Sequence, residues 1–415
     1  MDLNPLPDHV LSAAGNVAHL VRRGGMADLR PMPRAEVARG ERHRVHHLEP
    51  DPAVAGLGGP VLLVPPLAVP DACFDLRRGC SLAEHLVAAG RPAYVVELDP
   101  VDFRDPDLAL DPWVTEVLPA AIREASRHAG GQPVHVVGWS LGGTFALLAA
   151  AREPGLPVAS LTVLGTPVDV SSVPMLAPLR PLISPTDWSG PVGLAARLAG
   201  SAPGVRWALG LPGVQQLVTR PAAVAAHLDD ADWLAQLEAV DRLSTATAPY
   251  RGRAFGRLHH RFARDNALAS GTVELADGEV SLSAVTAPTL VVAGADDTIV
   301  PVAAVRPAVA MLTGAREVRF EIVPGGHLGL LTGRGARTGT WPVLDEWLAQ
   351  WDGRAVPRKR AAKKAPAKKA PAKKAPAKRA AAKKSPAKKA APSPEVIGAN
   401  PRRRHSSAGS RALAP

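Results

Sequence analysis

The chain has 415 residues, enough for one large domain with an insertion or for two domains, and 46% of it is hydrophobic against 4% aromatic, as in a soluble core built from Ala, Val and Leu. Its two cysteines, Cys73 and Cys80, exclude a disulfide framework and a cysteine metal cluster and point to a reducing compartment. Net charge is +11 but unevenly spread: 20 of the 49 Lys and Arg and one of the 38 acidic residues fall in 354–415, so that stretch carries +19 and residues 1–353 carry −8.

The start, Met1-Asp2-Leu3-Asn4-Pro5, lacks a basic region followed by an apolar one, and no run of about 18 uncharged apolar residues follows. Neither a secretory signal nor a membrane span is expected, and the expected location is cytoplasmic. Residues 1–45 read as an N-terminal helical segment, amphipathic through Val10, Leu11, Val17, Leu20 and Val21, leading into residues 34–48, whose last positions alternate. Strand candidates follow at 60–64, 92–98, 134–139, 161–167, 289–294 and 318–323, with helix-like stretches at 82–90, 113–128, 143–153 and 302–312 between them. Continuous apolar strands alternating with helices imply an α/β fold with a mostly parallel sheet covered on both faces.

Residues 170–285 break that alternation and read as an inserted helical cap, with Trp188, Trp207 and Trp233 as its core. The core is thus expected in two parts, 46–169 and 286–352. Trp341-Pro342-Val343-Leu344-Asp345-Glu346-Trp347-Leu348 closes it as a helix. Beyond it lies a Lys/Ala/Pro-rich tail, 353–415, in which a repeat from Lys363 to about Pro392 puts a proline at nearly every fifth residue and crowds like charges, which prevents a stable helix and predicts a disordered polycation.

The stretch that carries chemistry is Gly138-Trp139-Ser140-Leu141-Gly142, between an apolar strand and an apolar helix. G-x-S-x-G in that setting is a nucleophile elbow: the serine sits on a strained bend that lifts its hydroxyl clear of the sheet, and the flanking glycines avoid collision with the returning helix. A serine needs a base, and the base an orienting acid. Asp297 and His327 supply them in the required order, each in a loop after a later strand (Ala295-Asp296-Asp297-Thr298 and Pro324-Gly325-Gly326-His327). Asp297 is preferred to Asp296, which reads as a turn residue. His46, His47, His259 and His260 lack the strand-end context and read as structural, and Cys73 as a packing thiol. The oxyanion donors expected are the amide of Leu141 and, from the loop after 60–64, where Pro65 and Pro66 have no N–H, that of Leu67 or Ala68, with Leu67 preferred.

With these residues in place, the chain resembles the polyhydroxyalkanoate synthases, a cap-bearing branch of the α/β-hydrolases. The likeness spans about residues 32–350. It lies in Pro33 through Leu48, Val64-Pro65-Pro66, Asp75-Leu76 and Ser81-Leu82, the elbow, Phe262 through Gly271, Val280-Ser281-Leu282-Ser283, Asp297 and Gly325-Gly326-His327. Two positions depart from that family. Ala68-Val69-Pro70 stands where its members usually have Ile-Asn-Lys, and Ser140 stands where the synthases have cysteine. The resemblance implies an acyl-enzyme acting on 3-hydroxyacyl or fatty acyl esters or thioesters, with acyl-CoA as a substrate rather than a cofactor. Serine gives an oxygen ester, stable relative to a thioester, which moves the expectation from polymer synthesis toward hydrolysis. Polymer synthesis from 3-hydroxyacyl-CoA is the alternative. The tail resembles those of linker histones and nucleoid-binding granule proteins, so residues 357–404 are expected to bind DNA or another polyanion. A tether at the nucleoid, or at a polyester or lipid granule surface, is the third expectation.

Overall fold

The computed structural model describes residues 7–50, 52–54, 56–67, 69–99, 111–173, 221–247 and 266–352. Ala68, Trp188, Trp207, His259, His260, the run Phe262-Ala263-Arg264-Asp265 and the basic tail lie outside the described residues.

The valine-, leucine- and alanine-rich stretches become strands β3 (Val61–Val64), β4 (Ala93–Leu98), β5 (Val134–Trp139), β6 (Val158–Leu164), β9 (Thr289–Gly294) and β10 (Val318–Val323). They pair in parallel, while β1 (Arg34–Arg39) and β2 (His43–Leu48) add an antiparallel edge. Among the described residues this sheet has eight strands in the order β1-β2-β4-β3-β5-β6-β9-β10. Strand alternation splits each one between two cores. Val134 and Val136 face one core, shared with helices α3 (Leu118–His128) and α4 (Leu141–Arg152); Val137 and Trp139 face the other, shared with α2 (Leu82–Ala88) and the closing helix α9 (Thr340–Trp351). Burial on both sides is what a continuous apolar strand pays off only in a covered parallel sheet. The order in which the chain visits the strands reverses between β3 and β5, a switch point of the kind at whose carboxyl ends open α/β sheets bind ligands.

The structure departs from the sequence reading in four places. Helix α1 (Asp8–Arg23) ends at Gly24, whose φ of 76° stops it, so Arg34–Arg39 lies as a strand inside the segment expected to be helical. Its charged residues Arg34, Glu36 and Arg39 suit a sheet edge, where charge discourages pairing with another chain. The 113–128 stretch opens with a wide turn, Trp113–Val117, because Pro119 has no N–H to donate four residues back. The 302–312 stretch is two short helices, α6 (Val302–Val305) and α7 (Ala308–Met311), divided at Pro307.

The fourth departure concerns the expected cap. Of 170–285, residues 174–220 and 248–265 lie outside the described residues, and helix α5 (Ala231–Ala246) is present. Residues 266–285, however, form a hairpin of β7 (Thr272–Leu275) and β8 (Gly278–Ser281) flanked by short turns, not helix. Val273, Leu275, Val280 and Leu282 join the core beside α4, and Arg152 at the end of α4 donates through Nε to Asp277 at 2.8 Å. The two-residue turn Ala276-Asp277 joins β7 to β8, with Leu275 paired to Gly278 and the glycine at φ 129°. The insertion leaves and returns at one staple: Asn266 donates through Nδ2 to Asp169 at 2.8 Å and accepts from the Val170 amide at 2.8 Å. Among the described residues no helix is long and apolar enough to cross a membrane.

Candidate active site

Strand β5 ends at Trp139 and α4 begins at Leu141, leaving Ser140 alone to turn the chain. It does so at φ 54°, ψ −125°. Such a conformation costs a non-glycine residue on the order of 1–3 kcal/mol, so the surroundings must hold it. They do: the Ser140 amide donates to Leu164 O at 2.9 Å, and its carbonyl accepts from Gly143 N (3.0 Å), Thr144 N (3.3 Å) and Thr166 Oγ1 (3.1 Å). The motif glycines are required by different neighbours. A Cβ on Gly138 would lie 2.6 Å from the Gly143 backbone, which is the returning helix. On Gly142 it would meet the Val64 and Pro65 carbonyls, the latter at 2.7 Å, so this glycine clears the end of β3 and not the helix. That contact lays the loop carrying Leu67, itself buried, beside the first turn of α4, where the Leu141 amide has no partner inside the helix.

Asp297 and His327 arrive from the loops after β9 and β10. Gly294 permits this, because a side chain there would strike the Gly325 carbonyl. His327 Nδ1 and Asp297 Oδ2 are 2.7 Å apart, and the other carboxylate oxygen accepts from the amides of Ile299 (2.9 Å) and Val300 (2.8 Å). Both residues are buried, at 3% and 4% exposure. Asp296, the rejected neighbour, is exposed and ties its loop to the one after β10, its amide donating to Gly325 O at 3.2 Å and its carboxylate accepting from the Gly325 amide at 3.4 Å. The imidazole sits between two supports. Gly165, at φ 55°, brings backbone so near that a Cβ would be 3.1 Å from the ring. On another side the Trp139 ring lies 5.0 Å away between centroids, and Trp139 Nε1 donates to the His327 carbonyl at 3.1 Å. His327 Nε2 is buried and makes no hydrogen bond here. The Asp297–His327 bond is therefore formed, and the Ser140–His327 bond that a catalytic triad would need is not. Such bonds are often long in a ligand-free site and tighten around substrate.

A second serine-histidine-aspartate arrangement exists, and it is not a site. His135 bonds Ser160 Oγ through Nδ1 (2.7 Å) and Asp352 Oδ1 through Nε2 (2.9 Å), while Asp352 also pairs with Arg91 at 2.6 Å. Ser160 is fully buried at the start of β6, on no bend, and at the opposite end of the strands from Ser140. The network fastens the end of α9 under the sheet. His46 pairs with Glu97 at 2.5 Å and His47 packs on Tyr94 and His128, both structural. Cys73 is packed among apolar side chains, and burial pushes its thiol well up. Sequence reasoning missed Trp139, Gly165 and Thr166. Nothing marks them, since the contacts each makes with Ser140 or His327 join residues that lie apart in the chain: Trp139 and Gly165 with His327, and Thr166 with Ser140.

Comparison with known proteins places this geometry. A family model described as the alpha/beta hydrolase fold matches residues 80–334. The poly(3-hydroxyalkanoate) polymerase subunit PhaC of Allochromatium vinosum is 26% identical over 292 residues, covering 70% of this chain and 80% of the relative. The same subunit from Thiocystis violacea is 25% identical with the same coverage, and that of Cupriavidus necator is 27% identical over 298 residues, covering 65% of this chain and 46% of its own. The strand order, the serine on its bend after β5 and the family match agree: the chain belongs to the α/β-hydrolase family, and the relatives it is similar to are poly(3-hydroxyalkanoate) polymerase subunits.

Proposed function

We propose that the protein is a serine hydrolase that cleaves esters or thioesters of 3-hydroxyacyl or fatty acyl chains through an acyl-serine intermediate. The observation that carries this is the buried Asp297–His327 pair packed against the residue next to a strained serine. Ser140 Oγ attacks the acyl carbonyl while His327 takes its proton and Asp297 holds the imidazole in the tautomer that can accept it. The amides of Leu141 and Leu67 receive the developing oxyanion. His327 then returns the proton to the leaving alcohol or thiol, and water activated by the same imidazole releases the acid.

The relatives named as poly(3-hydroxyalkanoate) polymerases support the acyl class, and the serine in place of cysteine supports water as acceptor. Ser140→Ala should abolish turnover of a chromogenic acyl ester, and an unchanged rate would refute the mechanism. Mass spectrometry of products from 3-hydroxybutyryl-CoA and from a preformed polyester decides the acceptor. Free hydroxy acid is expected, and growing oligomers would mean polymer synthesis instead.

The charge division favours a second, compatible role. A +19 tail on a −8 body should hold the enzyme on DNA or another polyanion with a steep salt dependence. Removing residues 357–415 should abolish DNA retention at low salt and leave ester cleavage intact; retention without the tail would dismiss the tether.

A further inference from the structure

The spacing between nucleophile and base poses a mechanical problem in this fold. Ser140 follows β5, whereas His327 follows β10, three places away across the sheet. If their separation were set only through the strands, small shifts at each of the β5-β6, β6-β9 and β9-β10 pairings would add. Trp139 offers a shorter connection. Its backbone is one peptide unit from Ser140, about 3.8 Å between Cα atoms, and its side chain reaches the loop of the base directly. The indole N–H donates to the His327 carbonyl at 3.1 Å, and the ring lies 5.0 Å from the imidazole.

We infer that Trp139 is a positioning residue for the proposed acyl transfer: it sets the distance between Ser140 and His327 by tying the base loop to the elbow. The inference rests on the assignment of those two residues as nucleophile and base. Trp139 is 1% exposed and its one donor is committed to the His327 carbonyl, so it acts through His327 and Ser140. Gly165 also bounds the ring, since any side chain there would press on the imidazole. The base loop carries a second indole bond, from Trp341 Nε1 to Leu331 O at 3.1 Å, which belongs to α9 and has no link to the elbow. The two tryptophans therefore hold one loop with equal bonds, and only one of them connects it to the serine.

That difference supplies the test. Trp139→Phe and Trp341→Phe each remove one indole donor from the loop. Both proteins are checked for folding by thermal unfolding, then compared with wild type for phosphonylation of Ser140 by a fluorophosphonate and for kcat and KM on a p-nitrophenyl acyl ester. A misplacement on the scale of 1 Å costs about 10²-fold, so Trp139→Phe should lower kcat and the phosphonylation rate about 10- to 100-fold with KM within about twofold. Trp341→Phe should fall much less in kcat. Equal losses in both variants, or a loss in KM as large as in kcat, would reduce Trp139 to a loop-stabilising residue and overturn the inference. If Trp139→Phe does not fold, benzothienylalanine at position 139, which keeps the shape and removes the N–H, is measured in its place against the same expectations. Failure of wild type to be phosphonylated at Ser140 would strike the enzymatic assignment itself, an outcome separate from equal rates in wild type and variant.

Discussion

Gly142 separates local from tertiary control of the elbow. It lies in the first turn of α4, where alanine would favour the helix by up to about 1 kcal/mol. Yet a Cβ there would stand 2.7 Å from the Pro65 carbonyl oxygen and closer still to that of Val64. Ordinary contact begins at 3.4 Å, so the helix start must retreat by at least about 0.7 Å. The other side cannot give easily, because Val64 is held in register with Gly138 and two prolines follow it. The retreat would shift Ser140, whose carbonyl is bonded to the Gly143 and Thr144 amides, relative to the β3 loop and to His327. Overpacking of this kind costs on the order of 1–3 kcal/mol of stability, while a shift near 1 Å costs about 10²-fold in rate. Gly142→Ala should therefore remain folded in urea titration and lose roughly 10²-fold in kcat on a p-nitrophenyl acyl ester. Gly155→Ala, where a Cβ meets nothing within 4 Å, is the control expected to match wild type. A Gly142→Ala enzyme with kcat within about twofold of wild type would show that the β3 loop does not press on the elbow as argued.

Two further outcomes follow from the same geometry. Asp297→Asn keeps an acceptor for the Ile299 and Val300 amides but turns the imidazole to the wrong tautomer, so kcat should drop about 10⁴-fold; Asp296→Asn, at an exposed turn, should change little, and equal effects in steady-state kinetics would reverse the assignment. At the far end of the sheet, burial would raise the Asp352 carboxyl, but hydrogen bonds from His135 and Arg91 and the charge of Arg91 outweigh it and hold the group well below its usual range. A carboxyl depressed by folding stabilises the fold above the unfolded value of about 3.9 and loses that contribution as pH falls toward its folded value. Asp352→Asn, which leaves the Arg91 guanidinium buried without its counter-charge, should cost about 3–5 kcal/mol at pH 7, with the gap to wild type narrowing below about pH 4 in urea unfolding. A gap independent of pH would refute the ion-pair account.

Much of the site was legible because its constraints are local. An apolar strand, a glycine-flanked serine and an apolar helix specify an elbow within about twenty residues, and Asp297 and His327 stand at the ends of strands that hydrophobic runs make visible. The split between an acidic body and a basic tail is likewise a matter of counting. Hairpin β7-β8 was not legible, because four-residue strands carry too little alternation to stand out from helix, and its apolar face is defined only by α4.

What the sequence alone determined, then, is that a glycine-flanked serine, an aspartate and a histidine stand in that order at the ends of apolar strands. Tertiary structure decided what stands behind them: β3 against Gly142, Trp139 beneath the His327 loop, Gly165 under the imidazole, and Asp352 pinned below the sheet by Arg91 and His135. The physical reason is the separation along the chain, 188 residues between Trp139 and His327 and 217 between His135 and Asp352. Periodicity and motif report neighbours within a few turns, whereas contacts of that span exist only once the sheet has brought its strands side by side.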